Sequence, residues 1–140
     1  MNGTETGLAG KNSAEAADLT RVSELRERLE RLLREAANVE VELSRADGTI
    51  KGVPHYSLIE GRAHELGKQL SREVQQRQMK ELTASHATTA KCPECGARCP
   101  LHSREREVKS VDGDTHLQEL IGDCVHCRRS FFPDARDAGL

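Results

Sequence analysis

The sequence predicts an α+β protein in which helices come first and a small β-hairpin follows. Three observations predict this order: helical spacing of apolar residues before residue 84, an Asp-Gly turn between two strand-like segments after residue 100, and five cysteines that all follow residue 90. Only 2% of the 140 residues are aromatic and 31% are charged, so one modest core is the most that the chain can fill. A multidomain enzyme is therefore not expected.

The charge balance excludes a generally basic nucleic-acid binder. Lys and Arg total 21 against 23 Asp and Glu, which gives a formal net charge of -2. Any contact with nucleic acid must therefore be local. The chain has neither a signal-peptide pattern nor an apolar run of membrane-spanning length, so we expect a cytoplasmic protein without a membrane partner.

The first segment, residues 1–17, is small and polar, and we expect it to be disordered. A helical region then covers residues 18–84, with a first helix that starts between Ser13 and Asp18. Seven of its apolar positions alternate spacings of three and four residues, which is a heptad seam: Val22, Leu25, Leu29, Leu32, Ala36, Val39 and Leu43. The charges beside this seam are basic at its start and acidic at its end, which favours an antiparallel partner helix.

Residues 46–56 contain Asp-Gly, Gly and Pro and should break the helix. A capping box from Ser57 to Glu60 predicts the start of a second helix, which ends near Thr83. Its apolar spacing is less regular, so it needs a partner to be stable. The sequence does not choose between an intrachain helical hairpin, 18–45 against 57–83, and a homodimer through the helices.

Cysteine pairs flank the β-hairpin that is expected from residues 105–110 and 115–124. Cys92 and Cys95 form one CxxC knuckle, and Cys124 and Cys127 form the other. In a reducing compartment, clustered cysteines suggest a metal before they suggest disulfides, and four thiolates suit tetrahedral Zn²⁺. We therefore predict one structural Zn²⁺ per chain in a zinc ribbon over residues 91–134, so that the α+β fold is an N-terminal helical hairpin or coiled coil followed by a small zinc-ribbon β-hairpin.

Other uses of these thiols fit the pattern less well. An odd cysteine count argues against a disulfide framework, the spacing differs from common ferredoxin runs, and a redox CxxC would not need two matched pairs. Cys99 is the extra thiol, whose role the sequence does not define. Gly96 suits the positive-φ turn that follows the first knuckle, whereas Arg128 occupies the equivalent position after the second and should be strained there. No set of residues predicts catalysis or a small-molecule substrate.

The segment from Cys92 to Leu140 resembles the N-terminal zinc-ribbon region of bacterial insertion-sequence transposases of the ISKra-four family. The shared elements are CPxCGxxC, an Arg-rich strand, a DG turn, a second strand that ends at CxxC, and RRSFFP before Ala-Gly-Leu. The helical segment from Val53 is also similar, so the resemblance covers residues 53–140. In that family an RNase-H-like catalytic domain follows, which implies that this chain is a truncated transposase fragment that lacks strand-transfer activity.

The resemblance implies weak binding of DNA or a role in nucleoprotein assembly. Alternation along a strand places Arg104 and Arg106 on one face and Glu105 and Glu107 on the other. The residues that we expect to contact phosphates are therefore Arg104, Arg106, Lys109, Arg128 and Arg129. The alternative function is a stand-alone zinc-ribbon and coiled-coil adaptor that binds a partner protein.

Overall fold

The computed structural model describes residues 9–84 and 86–134. Helix α1 spans Ala9–Ala46 and helix α2 spans Tyr56–Ala84. The strands are β1 (Thr89–Lys91), β2 (Arg98–Ser110), β3 (Gly113–Cys124) and β4 (Arg129–Phe131). They form one antiparallel sheet in the order β1-β2-β3-β4. The predicted α+β class is therefore confirmed.

The chain divides into two compact units, Met1–Leu58 and Ile59–Leu140. The first contains α1, and the second contains most of α2 together with the whole sheet. Neither helix, in the part of the chain that the structure describes, has an apolar stretch that could cross a bilayer. The pairing of the two helices into a hairpin stays a prediction.

Helix α1 begins at Ala9, which is earlier than the helical region predicted from residue 18. The expectation that residues 1–17 are disordered is therefore wrong for 9–17, where alanines and a glutamate have high helix propensity; residues 1–8 lie outside the described residues. The side chains of the heptad seam are exposed in the single chain, with Val22 at 44% and Leu29 at 56%. Helix α1 thus presents an apolar stripe along one face.

Helix α2 begins one residue before the predicted cap. The Ser57 amide donates to His55 Nδ1 at 3.3 Å, and the Leu58 amide donates to the His55 carbonyl oxygen at 3.0 Å. Ser57 Oγ also lies 2.8 Å from the same ring nitrogen. His55 therefore caps the helix, because a side-chain acceptor at this position satisfies an amide that has no partner within the helix. The predicted capping box from Ser57 to Glu60 is wrong.

Strands β2 and β3 form the long hairpin of the sheet. Their pairing runs from Leu101 opposite Gly122 to Ser110 opposite Gly113, so Val111 and Asp112 form the turn. Strand β2 begins seven residues before the predicted strand 105–110, on the side away from the turn, and β3 begins two residues before the predicted strand 115–124, at the turn. The start of β2 pairs with β1 and the end of β3 pairs with β4, and neither of these three-residue strands was predicted from the sequence.

The sheet has a small apolar core at the end away from the turn. Ala90, Leu101 and Leu120 are buried together, and the partly buried Phe131 packs against them. Phe131 also packs against the buried cysteines, so one ring connects the core with the thiol cluster. The ring lies over Gly122 so closely that a Cβ there would be 2.5 Å from Phe131 Cζ. Glycine is therefore the residue that this contact requires.

Polar side chains of α2 hold the β2–β3 turn. Ser71 Oγ donates to Asp112 Oδ2 at 2.5 Å, and the Arg72 guanidinium donates to the Asp112 carbonyl oxygen at 2.6 Å. Gln76 Nε2 donates to Thr115 Oγ1 at 2.7 Å, and Thr115 is only 1% exposed. Thr115 is the buried member of this set and the other four side chains are partly buried, so the hydrogen bond from Gln76 in particular avoids the cost of an unpaired buried hydroxyl. They fix the ribbon on α2 within the second unit.

Candidate metal centre

The two cysteine knuckles lie at the end of the hairpin opposite the β2–β3 turn. Cys92 follows β1 directly, and Cys95 lies between β1 and β2. Cys124 is the last residue of β3, and Cys127 precedes β4. Since β2 and β3 are antiparallel, the start of one strand and the end of the other meet at the same edge of the sheet. The hairpin thereby brings the four cysteines together.

The four sulfur atoms form one compact group. All Sγ atoms of the two knuckles lie within 4.8 Å of one another. Cys92 Sγ is 3.8 Å from Cys127 Sγ, and Cys95 Sγ is 3.5 Å from Cys124 Sγ. Within residues 9–84 and 86–134, no other cluster of His, Cys, Asp or Glu side chains is arranged in this way. The four thiols could therefore hold one metal ion.

The thiols differ in their exposure to solvent. Cys92 and Cys124 are buried, Cys127 is partly buried, and Cys95 is exposed. An ion at the centre of the group would thus be shielded by the sheet on one side and approached through the Cys95 side. Cys95 is therefore the most solvent-accessible thiol of the four, although its knuckle partner Cys92 is buried.

Backbone hydrogen bonds shape both knuckles. The Cys92 amide donates to the Ala97 carbonyl oxygen at 2.8 Å, and the Gly96 amide donates to the Cys92 carbonyl oxygen at 2.9 Å. In the second knuckle the Cys127 amide donates to Cys124 Sγ at 3.4 Å. Amides that point at sulfur stabilise the thiolate form that a metal requires.

The residue after each knuckle has a left-handed backbone. Gly96 has φ +72° and Arg128 has φ +51°, and Arg128 is the one non-glycine residue with positive φ in the described ranges. This conformation costs a residue with a Cβ about 1–2 kcal/mol. The prediction that the second knuckle is the more strained of the two is therefore confirmed.

The strain predicts opposite effects of two substitutions on metal affinity. A Cβ at Gly96 would meet no atom within 4 Å, so Gly96→Ala should cost only the conformational penalty and weaken binding about tenfold. Arg128→Gly should tighten binding by up to about fivefold, because relief of strain exceeds the added entropy of the unfolded chain. Competition with a chromophoric chelator measures both. Gly61→Ala, in an open position on α2, is the control, and a weaker site in Arg128→Gly would contradict the account.

As free thiols the cysteines ionise unequally. The hydrogen bond from the Cys127 amide lowers the pKa of Cys124 to about 6, whereas hydrogen bonding with Cys95 raises the pKa of Cys127 to about 12. Burial raises the pKa of Cys99 to about 11. Cys99 is 3% exposed, packs beside Cys92 and Cys124, and lies 3.4 Å from the Ala97 carbonyl oxygen. The fifth thiol is thus a buried neighbour of the group, outside the four-sulfur cluster.

Two histidines of the ribbon, His102 and His116, lie beside carboxylates of the sheet. His102 Nδ1 is 3.4 Å from Asp123 Oδ2, and His116 Nδ1 is 3.4 Å from Glu105 Oε1. Both are exposed pairs on the sheet, and neither ring is part of the compact thiol group.

The five basic residues expected at DNA do not form one surface. Arg104 and Arg106 share a strand face, as predicted, and both reach Glu119 of β3, Arg104 at 3.7 Å. Arg129 lies near the second knuckle and is 2.7 Å from Glu94 in the first. Lys109 and Arg128 are exposed.

Two carboxylates that pair with these arginines, Glu94 and Glu119, were not predicted from the sequence. Glu119 is 9% exposed, and Arg106 Nε donates to its Oε1 at 2.7 Å, so it is a buried counter-charge for the arginine face. Glu94 connects the two knuckles through Arg129, although both side chains are largely exposed and such pairs contribute little. Side chains alternate between the two faces along β3, and this alternation places Glu119 on the same face as Arg104. That inference requires the β2–β3 pairing register, which the sequence does not provide.

Family models, curated proteins and solved structures give no significant match to this chain.

Proposed function

We propose that the chain is a non-catalytic zinc-ribbon module of transposase origin that binds DNA weakly or assists nucleoprotein assembly in the cytoplasm. We further propose that two copies pair through α1. The observation on which the proposal rests is the closed group of four thiols at the end of the hairpin. A complete set of four protein ligands leaves no open coordination position, which supports a structural ion rather than a catalytic one.

The spacing of the sulfur atoms supports Zn²⁺ as that ion. A regular tetrahedron with Zn–S bonds of about 2.3 Å has sulfur–sulfur edges of about 3.8 Å. Two edges of the group, 3.8 and 3.5 Å, agree with this size, and all six lie within 4.8 Å. Four thiolates also favour Zn²⁺ or iron over hard cations, which prefer oxygen. Metal analysis of the purified protein distinguishes zinc from iron.

Local charge supports weak contact with phosphates. Arg104 and Arg106 are each 53% exposed in their side chains, and these two arginines with Glu119 form a group of net charge +1. Lys109 and Arg128 add exposed positive charge at the two ends of the ribbon. Because the whole chain has a formal charge of -2, contact with DNA would depend on these local groups.

Salt-dependent DNA binding tests the proposal. Fluorescence anisotropy with a labelled duplex should give an affinity that falls with salt, and Lys109→Gln with Arg128→Gln should reduce the slope of log affinity against log salt by about two. Arg77→Gln with Lys80→Gln, at exposed positions of α2, removes the same charge as the matched control and should leave the slope unchanged. An affinity that does not depend on salt would contradict DNA binding.

A protein-interaction adaptor is the second candidate. The exposed apolar seam of α1 favours it, as does the pairing of Arg104, Arg106 and Arg129 with carboxylates. An adaptor needs the same structural ion but no phosphate contact. A salt slope near zero, with the metal site intact, would therefore favour the adaptor.

A further inference from the structure

The seam of α1 is apolar over three heptads and exposed in the single chain. In heptad notation its a positions are Val22, Leu29, Ala36 and Leu43, and its d positions are Leu25, Leu32 and Val39. The large side chains among these are between 44% and 56% exposed. A stripe of this length on a helix is stabilised when another helix covers it.

The residues that flank the seam have an ordered charge pattern. The g positions are two arginines followed by two glutamates: Arg21, Arg28, Glu35 and Glu42. The e positions alternate leucine with a charge: Leu19, Arg26, Leu33 and Glu40. Residues at e and g lie beside the partner helix, so their charges decide its identity and direction.

We propose that α1 binds α1 of a second copy of this chain as an antiparallel coiled coil. We place the two helices in the register that sets Leu29 of one copy in the same layer as Leu32 of the other. In this register the a and d side chains of the seam form six apolar layers. The g positions of antiparallel helices face each other. Arg21 then faces Glu42 of the second copy, and Arg28 faces its Glu35. The two-fold symmetry repeats both contacts, which gives four pairs of opposite charge.

Other arrangements lack this complementarity. In a parallel pair, g faces the following e, so Arg21 would face Arg26 of the second copy and Glu35 would face its Glu40. Each of these like-charge contacts would occur twice. A shift of one heptad in the antiparallel pair would place Arg28 opposite Arg28, or Glu35 opposite Glu35, and would remove apolar layers. The charges thus select one direction and one register.

This inference deepens the proposed pairing of two copies and is independent of DNA contact. It is tested on the full zinc-loaded chain by sedimentation equilibrium without DNA. The wild type should be a dimer. Arg21→Glu with Arg28→Glu makes all g positions acidic and should weaken dimerisation at least tenfold, as should Glu35→Arg with Glu42→Arg, which makes them all basic. An equimolar mixture of the two variants should restore a dimer, because every antiparallel g contact is then attractive.

The controls carry the same change in net charge at positions outside the interface. Arg31→Glu with Arg34→Glu matches the first variant, and Glu27→Arg with Glu30→Arg matches the second; both should dimerise like the wild type. A wild-type monomer at all concentrations, as an intrachain hairpin would give, overturns the inference. A mixture of the two g-position variants that fails to associate also overturns the inference. Such a failure is what a parallel pair predicts, because the attractive and repulsive g–e contacts between the two variants would then cancel. The result of the DNA-binding test does not depend on whether the wild type is a dimer, so the two proposals can fail separately.

Discussion

Removal of the proposed zinc ion is expected to unfold the sheet, residues 89–131, while the helical signal of α1 persists. Ordering the backbone costs about 1–2 kcal/mol per residue, and the ribbon buries few large apolar side chains, with Leu101, Leu120 and Ile121 the main ones. A structural Zn²⁺ supplies about 10–16 kcal/mol in small sites of this kind. Dispersed amide NMR signals of the strands should therefore collapse after treatment with a strong chelator and return when zinc is added.

Cysteine substitutions separate the ligands from the extra thiol. Cys124→Ser should lower zinc affinity by more than about 100-fold, since even loss of a supporting partner of a ligand costs 10–100-fold. Cys99→Ser is the matched control, because Cys99 is equally buried at 3% and packs beside the same sulfur atoms. It should still bind one zinc ion per chain. Equal loss of zinc in both variants would contradict the four-ligand set.

Loss of Arg106 is expected to destabilise the middle of the hairpin by about 2 kcal/mol. Arg106→Ala would leave Glu119, whose side chain is 11% exposed, with Arg104 as its remaining ion-pair partner at 3.7 Å. A buried charge without its hydrogen-bonded partner can cost 3–5 kcal/mol. The cost should be smaller here because water reaches the half-exposed arginine side. Hydrogen exchange of β3 amides in the zinc-loaded protein should show about 30-fold lower protection.

Arg104→Ala provides the matched control. Arg104 lies on the same strand face and has the same 53% exposure, but its guanidinium is farther from the carboxylate. Arg104→Ala should reduce the hydrogen-exchange protection of the β3 amides, but by a factor several times smaller than the reduction in Arg106→Ala. If the two variants have equal effects, or if neither alters exchange, Glu119 does not depend on the hydrogen bond from Arg106.

The cluster of four thiols was predictable because its chemistry is local in sequence. Each CxxC pair places two sulfur atoms on one turn, and the Asp-Gly signal between the pairs indicates the hairpin that brings them together. The positive φ at Gly96 and Arg128 followed from the same local geometry. The heptad spacing of α1 was equally direct, since helical period depends only on neighbours along the chain.

Contacts between distant segments were not predictable. Apolar side chains of α2 such as Ile59, Leu70 and Val74 are exposed. The face of α2 that holds the ribbon is instead polar, with Ser71 and Arg72 bound to Asp112 of the turn. Hydrogen bonds between residues some 40 positions apart have no periodic signature. The same is true of β1 and β4, which are three residues long and exist through pairing with longer strands.

X-ray absorption at the zinc edge tests the central claim most directly. The Cys99→Ser protein, purified with one zinc ion per chain, has only the four cysteines of the two knuckles as thiol donors. We expect four sulfur neighbours at about 2.3 Å and no nitrogen or oxygen in the coordination shell. A shell with fewer than four sulfurs, or with a light-atom ligand, would contradict a closed site built by Cys92, Cys95, Cys124 and Cys127.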